Sequence, residues 1–560
     1  MTACGRTAAR IAIAVMVAAA AACGDPGRDH ELATDASDPP AVALGERLFL
    51  ETRFAEHARA ELLRDGVNAS LAHRDPILDE TVTTGDPFPG PFKGGAMSCR
   101  ACHLVDEHGS DGGNRTYADF ARRSPIPARG DGLATTPRNS PPLVDATDDR
   151  SGAFFLHFDG EFTSTAALAR GTLIGRNFGW LPDEQPTAIA WIARVIREDD
   201  GRGALASEFA SLPYSVVLAG SDPAIPPTLR LPDELRIDVT TASDDAVVDA
   251  VAAVIAAYVD SLRFARDVDG LFVGSPYDRF LTKNGLPRAP EAGESDLDYS
   301  RRLRDAVERL TNPRFVSRAD GELATHHHDF VFDARELAGL RVFLAEPARR
   351  PLTDDAIATG GVGNCIACHP APVFTDFAFH NTGAAQEEYD AIHGSDAFAA
   401  LDVPDLATRT ADPERYLPPS PAHPAARGTF RDVPSLGRPG VTDLGLWNVL
   451  ANDAMPAAQP ALAAMLCAGV SDCAAAALLP TTIARFKTPS LRDLGQSGPY
   501  MHTGQKDTLD DVLAFYGRFS DLARAERVRN ADAELAALAL TEDDRGALAA
   551  FLRALDEDYE

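Results

Sequence analysis

The sequence predicts a mainly α protein of two helical halves joined by long loops, with few short strands. Three observations carry this reading. Apolar residues recur near the helical period in several stretches, and the period-two alternation of strands is scarce. One short motif, Cys99-Arg100-Ala101-Cys102-His103, returns as Cys365-Ile366-Ala367-Cys368-His369.

The elements follow in chain order. Leu44-Gly45-Glu46-Arg47-Leu48-Phe49 opens a helical pattern. Residues 74–97 are rich in Gly and Pro and read as a long loop into the first motif. Residues 104–150 also read as loop and end in Thr136-Pro137-Arg138-Asn139-Ser140-Pro141-Pro142. Residues 188–197 and 244–264 read as helices; in the second, Val247, Val251, Val254, Ile255 and Val259 repeat near 3.6. Ala334–Leu344 reads as a short helix ahead of the second motif, and 400–460 as a Pro-rich loop. Thr508-Leu509-Asp510-Asp511 opens a helix in capping-box fashion, with Leu509, Val512, Leu513 and Tyr516 on one face. Residues 541–555 repeat the pattern, with Leu548, Phe551, Leu552 and Leu555 inward. Each motif follows a helix carrying Leu and Phe, which suggests an old duplication. The expected units are 41–328 and 329–560.

The 560 residues suffice for two or more domains with full cores. Apolar content of 45% and charged content of 24% exclude pervasive disorder, collagen and a small disulfide scaffold. With 83 acidic and 53 basic residues the net charge is −30. Such a surface repels nucleic acid and anionic lipid, so neither is an expected partner.

Arg6 and Arg10 precede an apolar run over 11–22. It is too short to span a bilayer and has the length of a signal-peptide core. Small residues run up to Cys23. Either Cys23 becomes a lipidated first residue, with 23–40 as a tether, or the run is a plain secretion signal. The protein is expected to be exported to the periplasm, touching a membrane only through Cys23. Cys467 and Cys473 are close together in an exported chain, so a local disulfide is the default reading and two free thiols the alternative.

C-x-x-C-H is the attachment signal for c-type haem. Two thiols on one helical turn reach the two vinyl groups of a porphyrin, and the adjacent His faces the iron. A redox C-x-x-C pair needs no His, and a zinc site would want further nearby ligands. Two covalent c-type haems and two cytochrome c-like haem domains are therefore expected. The run His326-His327-His328 reads as a solvated loop or a copper or zinc site.

These motifs, together with Phe374-Thr375-Asp376, Phe379-His380-Asn381-Thr382-Gly383, Phe486-Lys487-Thr488-Pro489-Ser490-Leu491-Arg492 and Gly498-Pro499-Tyr500-Met501-His502-Thr503-Gly504, resemble the bacterial di-haem cytochrome c peroxidases and MauG. The resemblance covers most of the mature chain. In that superfamily, ordinary peroxidases place a Met about twelve residues after the last Gly as ligand to the C-terminal haem, whereas MauG-like enzymes place a Tyr; here Tyr516 stands there. His157-Phe158-Asp159-Gly160-Glu161-Phe162, Thr172 to Trp180, Ser275-Pro276-Tyr277-Asp278 and Lys283-Asn284-Gly285-Leu286-Pro287 are similar to the MbnH branch.

The resemblance implies an oxidase that uses hydrogen peroxide, through a bis-Fe(IV) state, to oxidise a tryptophan on a small exported MbnP-like partner. The alternatives are a peroxidase drawing electrons from a small cytochrome and a non-enzymatic di-haem electron carrier. The implied roles are Cys99, Cys102 and His103 on the peroxide-binding haem, and Cys365, Cys368, His369 and Tyr516 on the other. A calcium ion between them would take Asn139 and the backbone carbonyls of Ser497 and Pro499. Phe158 replaces the usual inter-haem Trp, and Trp180 is either its substitute or a core residue. The places of the usual distal Gln and Glu fall near Leu168 and Phe178, which leaves the distal acid–base group unassigned. His157 and His380 are candidates for distal or supporting roles.

Overall fold

The computed structural model describes residues 38–64, 98–99, 102–103, 129, 138–147, 154–202, 206, 210–323, 328–469, 471–495 and 497–557. The expected signal over 1–22, Cys23, the loop over 74–97, and His326 with His327 lie outside them. The protein is mainly helical. Among the described residues no helix is long and apolar enough to cross a membrane.

The first core is built on Pro40–Phe49, Thr165–Leu173, Gln185–Glu198 and Asp244–Ser261. The last of these is the predicted valine helix. Ser243 caps it by accepting from the Ala246 amide, and Asp244 and Asp245 lie in its first turn, where carboxylates complement the dipole. The second core joins Pro276–Asn284, Asp296–Glu308, Ala334–Leu344 and Glu542–Arg553, with Leu509 and Leu513 from Leu509–Arg524. Thr508 caps that last helix through the Asp511 amide. Thr541 and Asp544 form a capping box on Glu542–Arg553.

Four of these helices are not evident in the sequence pattern: Thr165–Leu173, Pro276–Asn284, Asp296–Glu308 and, beyond the second motif, Ala384–His393. Asp296–Glu308 shows why. Its buried stripe is narrow, Tyr299, Leu303 and Val307, in an otherwise charged segment. It also precedes residue 328 in the chain yet packs in the second core.

The two helices ahead of the haem motifs are alike in packing as well as position. Gly45-Glu46-Arg47-Leu48-Phe49 and Gly339-Leu340-Arg341-Val342-Phe343 share Gly, Arg and Phe at the same spacing. A Cβ on Gly45 would lie 2.3 Å from the Val254 carbonyl, and one on Gly339 would lie 2.1 Å from the Ala547 carbonyl. Each glycine lets its helix meet a partner helix backbone to backbone.

The 400–460 stretch is irregular, as expected, with the short helices Leu406–Ala411 and Pro413–Tyr416. It holds its shape around buried Trp447 and Arg409. The guanidinium lies 4.8 Å from the Trp447 ring and donates to the carbonyls of Trp447, Leu450 and Ala451. Cys467 and Cys473 form a disulfide. Among the described residues one two-stranded sheet pairs β1 (Phe379–His380) antiparallel with β2 (Phe486–Lys487).

Gly339→Ala should destabilise the fold by about 1–3 kcal/mol, since overpacking a tight helix contact forces backbone shifts. Urea unfolding checks this; a change within experimental error would mean that the two helices can separate freely.

Candidate haem centres

The first motif closes a turn in which the amides of Cys102 and His103 donate to the Cys99 carbonyl at 3.0 and 2.9 Å. His103 Nδ1 is 2.9 Å from Ser140 Oγ, which itself donates to the Cys102 carbonyl at 2.5 Å. With Nδ1 engaged, Nε2 is the nitrogen left to a metal. Burial lowers the His103 pKa to about 4, so the ring is neutral. Cys99, Cys102 and His103 line a cavity of about 280 Å³ with His157, Glu161 and Trp180.

The second motif repeats the geometry. A 3₁₀ turn spans Cys365–Ala367, and the His369 amide donates to the Cys365 carbonyl at 2.7 Å. His369 Nδ1 lies 2.9 Å from the Phe374 carbonyl, which again leaves Nε2. Cys365, Cys368, His369, His380 and Tyr516 line a cavity of about 320 Å³. Burial pushes the Cys99 and Cys365 thiols up to about 12, which makes them poor redox nucleophiles. Burial also pushes the Tyr516 phenol well above its ordinary value.

His380 is clamped between Asp376 (2.8 Å to Nε2) and Asp532 (2.6 Å to Nδ1). Burial lowers its pKa, but the two carboxylates outweigh this and raise it to about 12. A charged ring with both nitrogens taken is a supporting group and not an iron ligand. His328 Nε2 lies 3.2 Å from Asp556 Oδ2.

The two cavities meet. His103, Asn139, Ser140 and Phe158 line both. Trp180 lines only the first, sits in the first core, and donates from Nε1 to the Phe54 carbonyl at 3.2 Å. Phe158, not Trp180, therefore stands at the junction. Beside it Phe486 stacks on His502 with ring centroids 4.0 Å apart. Asn139, Ser497 and Pro499 also line the second cavity. Asn139 Nδ2 donates to the Pro499 carbonyl at 2.6 Å, and its Oδ1 accepts from the Ser140 amide at 2.9 Å.

A buried ion cluster fixes this junction. Arg138 Nη1 lies 2.6 Å from Asp159 Oδ2, and Arg138 also pairs with Asp443 at 2.6 and 2.9 Å. Asp159 is 3.3 Å from Arg431 Nη2, and Arg431 also pairs with Glu161. Burial raises the Asp443 pKa, but Arg138 overrides it and holds the carboxyl below its usual range. The loop bearing His157 is closed by the Leu156–Phe162 bridge and tied to β2, because the Lys487 amide donates to the Phe158 carbonyl at 2.7 Å.

No family model matches the chain. It is 27% identical over 254 residues to cytochrome-c peroxidase IdrP1 of Denitromonas iodatirespirans, covering 43% of this chain and 50% of that protein. It is 41% identical over 70 residues to methylamine utilization protein MauG of Methylorubrum extorquens, covering 12% of this chain and 18% of MauG. The chain thus spans about half the length of the first relative and less of the second. Over these stretches the chain is similar to the cytochrome c peroxidase and MauG superfamily. The diheme peroxidase BthA of Burkholderia thailandensis superposes with a TM-score of 0.42 at 18% identity, over 93% of this chain and 86% of BthA.

The superfamily implies two covalent c-type haems, and the cavities fit them. All four motif thiols are free. Both histidines are held at Nδ1. His502, buried in the second cavity, has no hydrogen-bond partner at either ring nitrogen, as expected where a bound group is missing. Ser140, His502 and the Glu161–Arg431 pair are the residues that sequence reasoning missed. Ser140 sits in the motif that supplied Asn139, but nothing local ties it to His103.

Asp159→Ala would leave two buried arginines short of a partner, so it should cost about 3–5 kcal/mol in urea unfolding. A cost below 1 kcal/mol would show that the cluster is solvated.

Proposed function

We propose that the protein is an exported di-haem oxidase that uses hydrogen peroxide to oxidise a tryptophan on a small MbnP-type partner protein. The supporting observation is Tyr516 in one cavity with Cys365, Cys368 and His369. Cys99 and Cys102 would attach the first haem, with His103 on its iron. Cys365 and Cys368 would attach the second, with His369 and Tyr516 on its iron. Once bound, the haems supply peroxide binding at iron and a two-electron redox reservoir.

The chain's own residues set how that reservoir behaves. Ser140 and the Phe374 carbonyl aim the two proximal histidines. Phenolate is a hard, anionic donor and favours the oxidised metal, whereas a Met thioether raises the potential and suits an electron-accepting relay. Phe158, with the stacked Phe486 and His502 in the second cavity, lies where the two cavities meet. A calcium ion on Asn139 and the Ser497 and Pro499 carbonyls would displace the hydrogen bonds that Asn139 makes to the Pro499 carbonyl and the Ser140 amide. Export to the periplasm, with or without a lipid on Cys23, suits haem attachment outside the cytoplasm.

The longer match to a cytochrome-c peroxidase supports a second reading, peroxide reduction with electrons from a small cytochrome. Tyr516 discriminates between the two. Tyr516→Met should keep both haems, lower oxidation of the partner tryptophan at least tenfold, and raise peroxide turnover with reduced cytochrome. Mass spectrometry of the partner and a cytochrome oxidation assay read the two effects. Partner oxidation unchanged in both Tyr516→Met and Tyr516→Phe would reduce Tyr516 to a core residue and remove the support for the oxidase reading.

A further inference from the structure

Much of the wall of the first cavity is apolar. Leu168, Ala169, Phe162 and Phe178 line it. Reduction of peroxide needs a group that can move a proton between its oxygens. Besides the motif residues Cys99, Cys102 and His103, and Arg138, the ionisable side chains lining the cavity are His157, Glu161, Arg176 and Arg431 among the described residues.

These groups are arranged. His157 has φ +64°, a left-handed conformation that a histidine rarely adopts, in the tight loop closed by the Leu156–Phe162 bridge. The loop brings His157 Nδ1 to 3.3 Å from Glu161 Oε2, and the ring meets Phe162 edge-on at 5.0 Å. With Nδ1 turned to the carboxylate, Nε2 is the free nitrogen. Glu161 is held in turn by Arg431, which also faces Asp159.

We propose that His157 is the distal acid–base residue of the first cavity, with Glu161 and Arg431 as its positioning residues. This rests on the reading of that cavity as the peroxide site. His157 Nε2 takes the proton from one peroxide oxygen and returns it to the other. The O–O bond breaks with its electron pair on the oxygen that departs as water. A haem held by His103 would supply the two electrons that this cleavage consumes, and His157 ends in its starting protonation state.

Glu161 does not serve in this role itself. Burial raises its pKa, but Arg431 and His157 outweigh burial and hold the carboxyl far below the usual range, so it carries no proton near neutral pH. Its use is to fix the His157 tautomer, as carboxylates do for catalytic and metal-bound imidazoles. The other titratable and charged groups around the pair are His103, which faces His157 across the cavity wall, Arg138 and Asp159 behind Arg431, and Arg176, which faces Arg431, Asp432 and Glu161. Two arginines on the carboxylates argue against the alternative that His157, Asp159 and Glu161 hold a cation.

The test reads fluoride binding to the ferric holoprotein, which reports a distal hydrogen-bond donor without turnover. His157→Leu should weaken fluoride about 10- to 100-fold, the worth of one hydrogen bond to a charged group, and shift the high-spin charge-transfer band. Glu161→Gln should keep haem content and displace the pH profile of fluoride affinity. If His157→Leu fails to take up haem, Glu161→Gln and His157→Gln carry the test, the latter retaining a donor and part of the affinity. Affinity within twofold of wild type and an unmoved profile, at two haems per chain, would overturn the proposal. A wild-type protein with two haems and no fluoride response would instead overturn the reading of the first cavity as the peroxide site, and the proposal with it.

Discussion

Arg138 is the side chain on which the arrangement of both centres depends. It sits next to Asn139 and Ser140, so its position sets the residue that aims His103. Its guanidinium is held on one side by Asp159, in the loop that carries His157, and on the other by Asp443, four residues before the buried Trp447. All three groups are buried. Moving three charges out of water is costly, and only their mutual pairing with good geometry offsets it. The pairing ties the 138–140 segment to the His157 loop and to the segment around Asp443, where the two cavities meet.

This explains why the two centres differ although their motifs match. Each His is held at Nδ1 and each pair of thiols sits on a short turn. The asymmetry comes from what faces them. Tyr516 reaches the second cavity from Leu509–Arg524, a helix anchored by its Thr508 cap and by Leu509 and Leu513 in the second core. The first cavity is faced by a loop carrying a histidine and a carboxylate. Such a division suits one centre that meets a small oxidant and one that holds charge at a distance from it.

Much of this was legible in the sequence. The motifs are local covalent requirements, so spacing alone displays them. The helices 244–261, 334–344, 509–524 and 542–553 showed because their buried stripes are strongly apolar and their caps are standard. What stayed hidden is tertiary. Glu161 and Arg431 are 270 residues apart, and Arg138 and Asp443 are 305 apart. Nothing in either neighbourhood marks the partner. From the sequence Trp180 reads equally as a substitute for the inter-haem residue and as a core residue, because nothing local separates the two. The fold uses it to fill the first core, with Phe158 at the junction.

On the proposed reading, two c-type haems would be held unlike one another, one by His103 alone and one by His369 with Tyr516. Low-temperature electron paramagnetic resonance on protein whose haem content has been counted tests it most directly. The account predicts two covalent haems per chain, with one high-spin signal and one low-spin signal of equal weight, the low-spin signal changing in Tyr516→Phe. Two low-spin signals that are both unmoved by that substitution, or a single haem per chain, would contradict it.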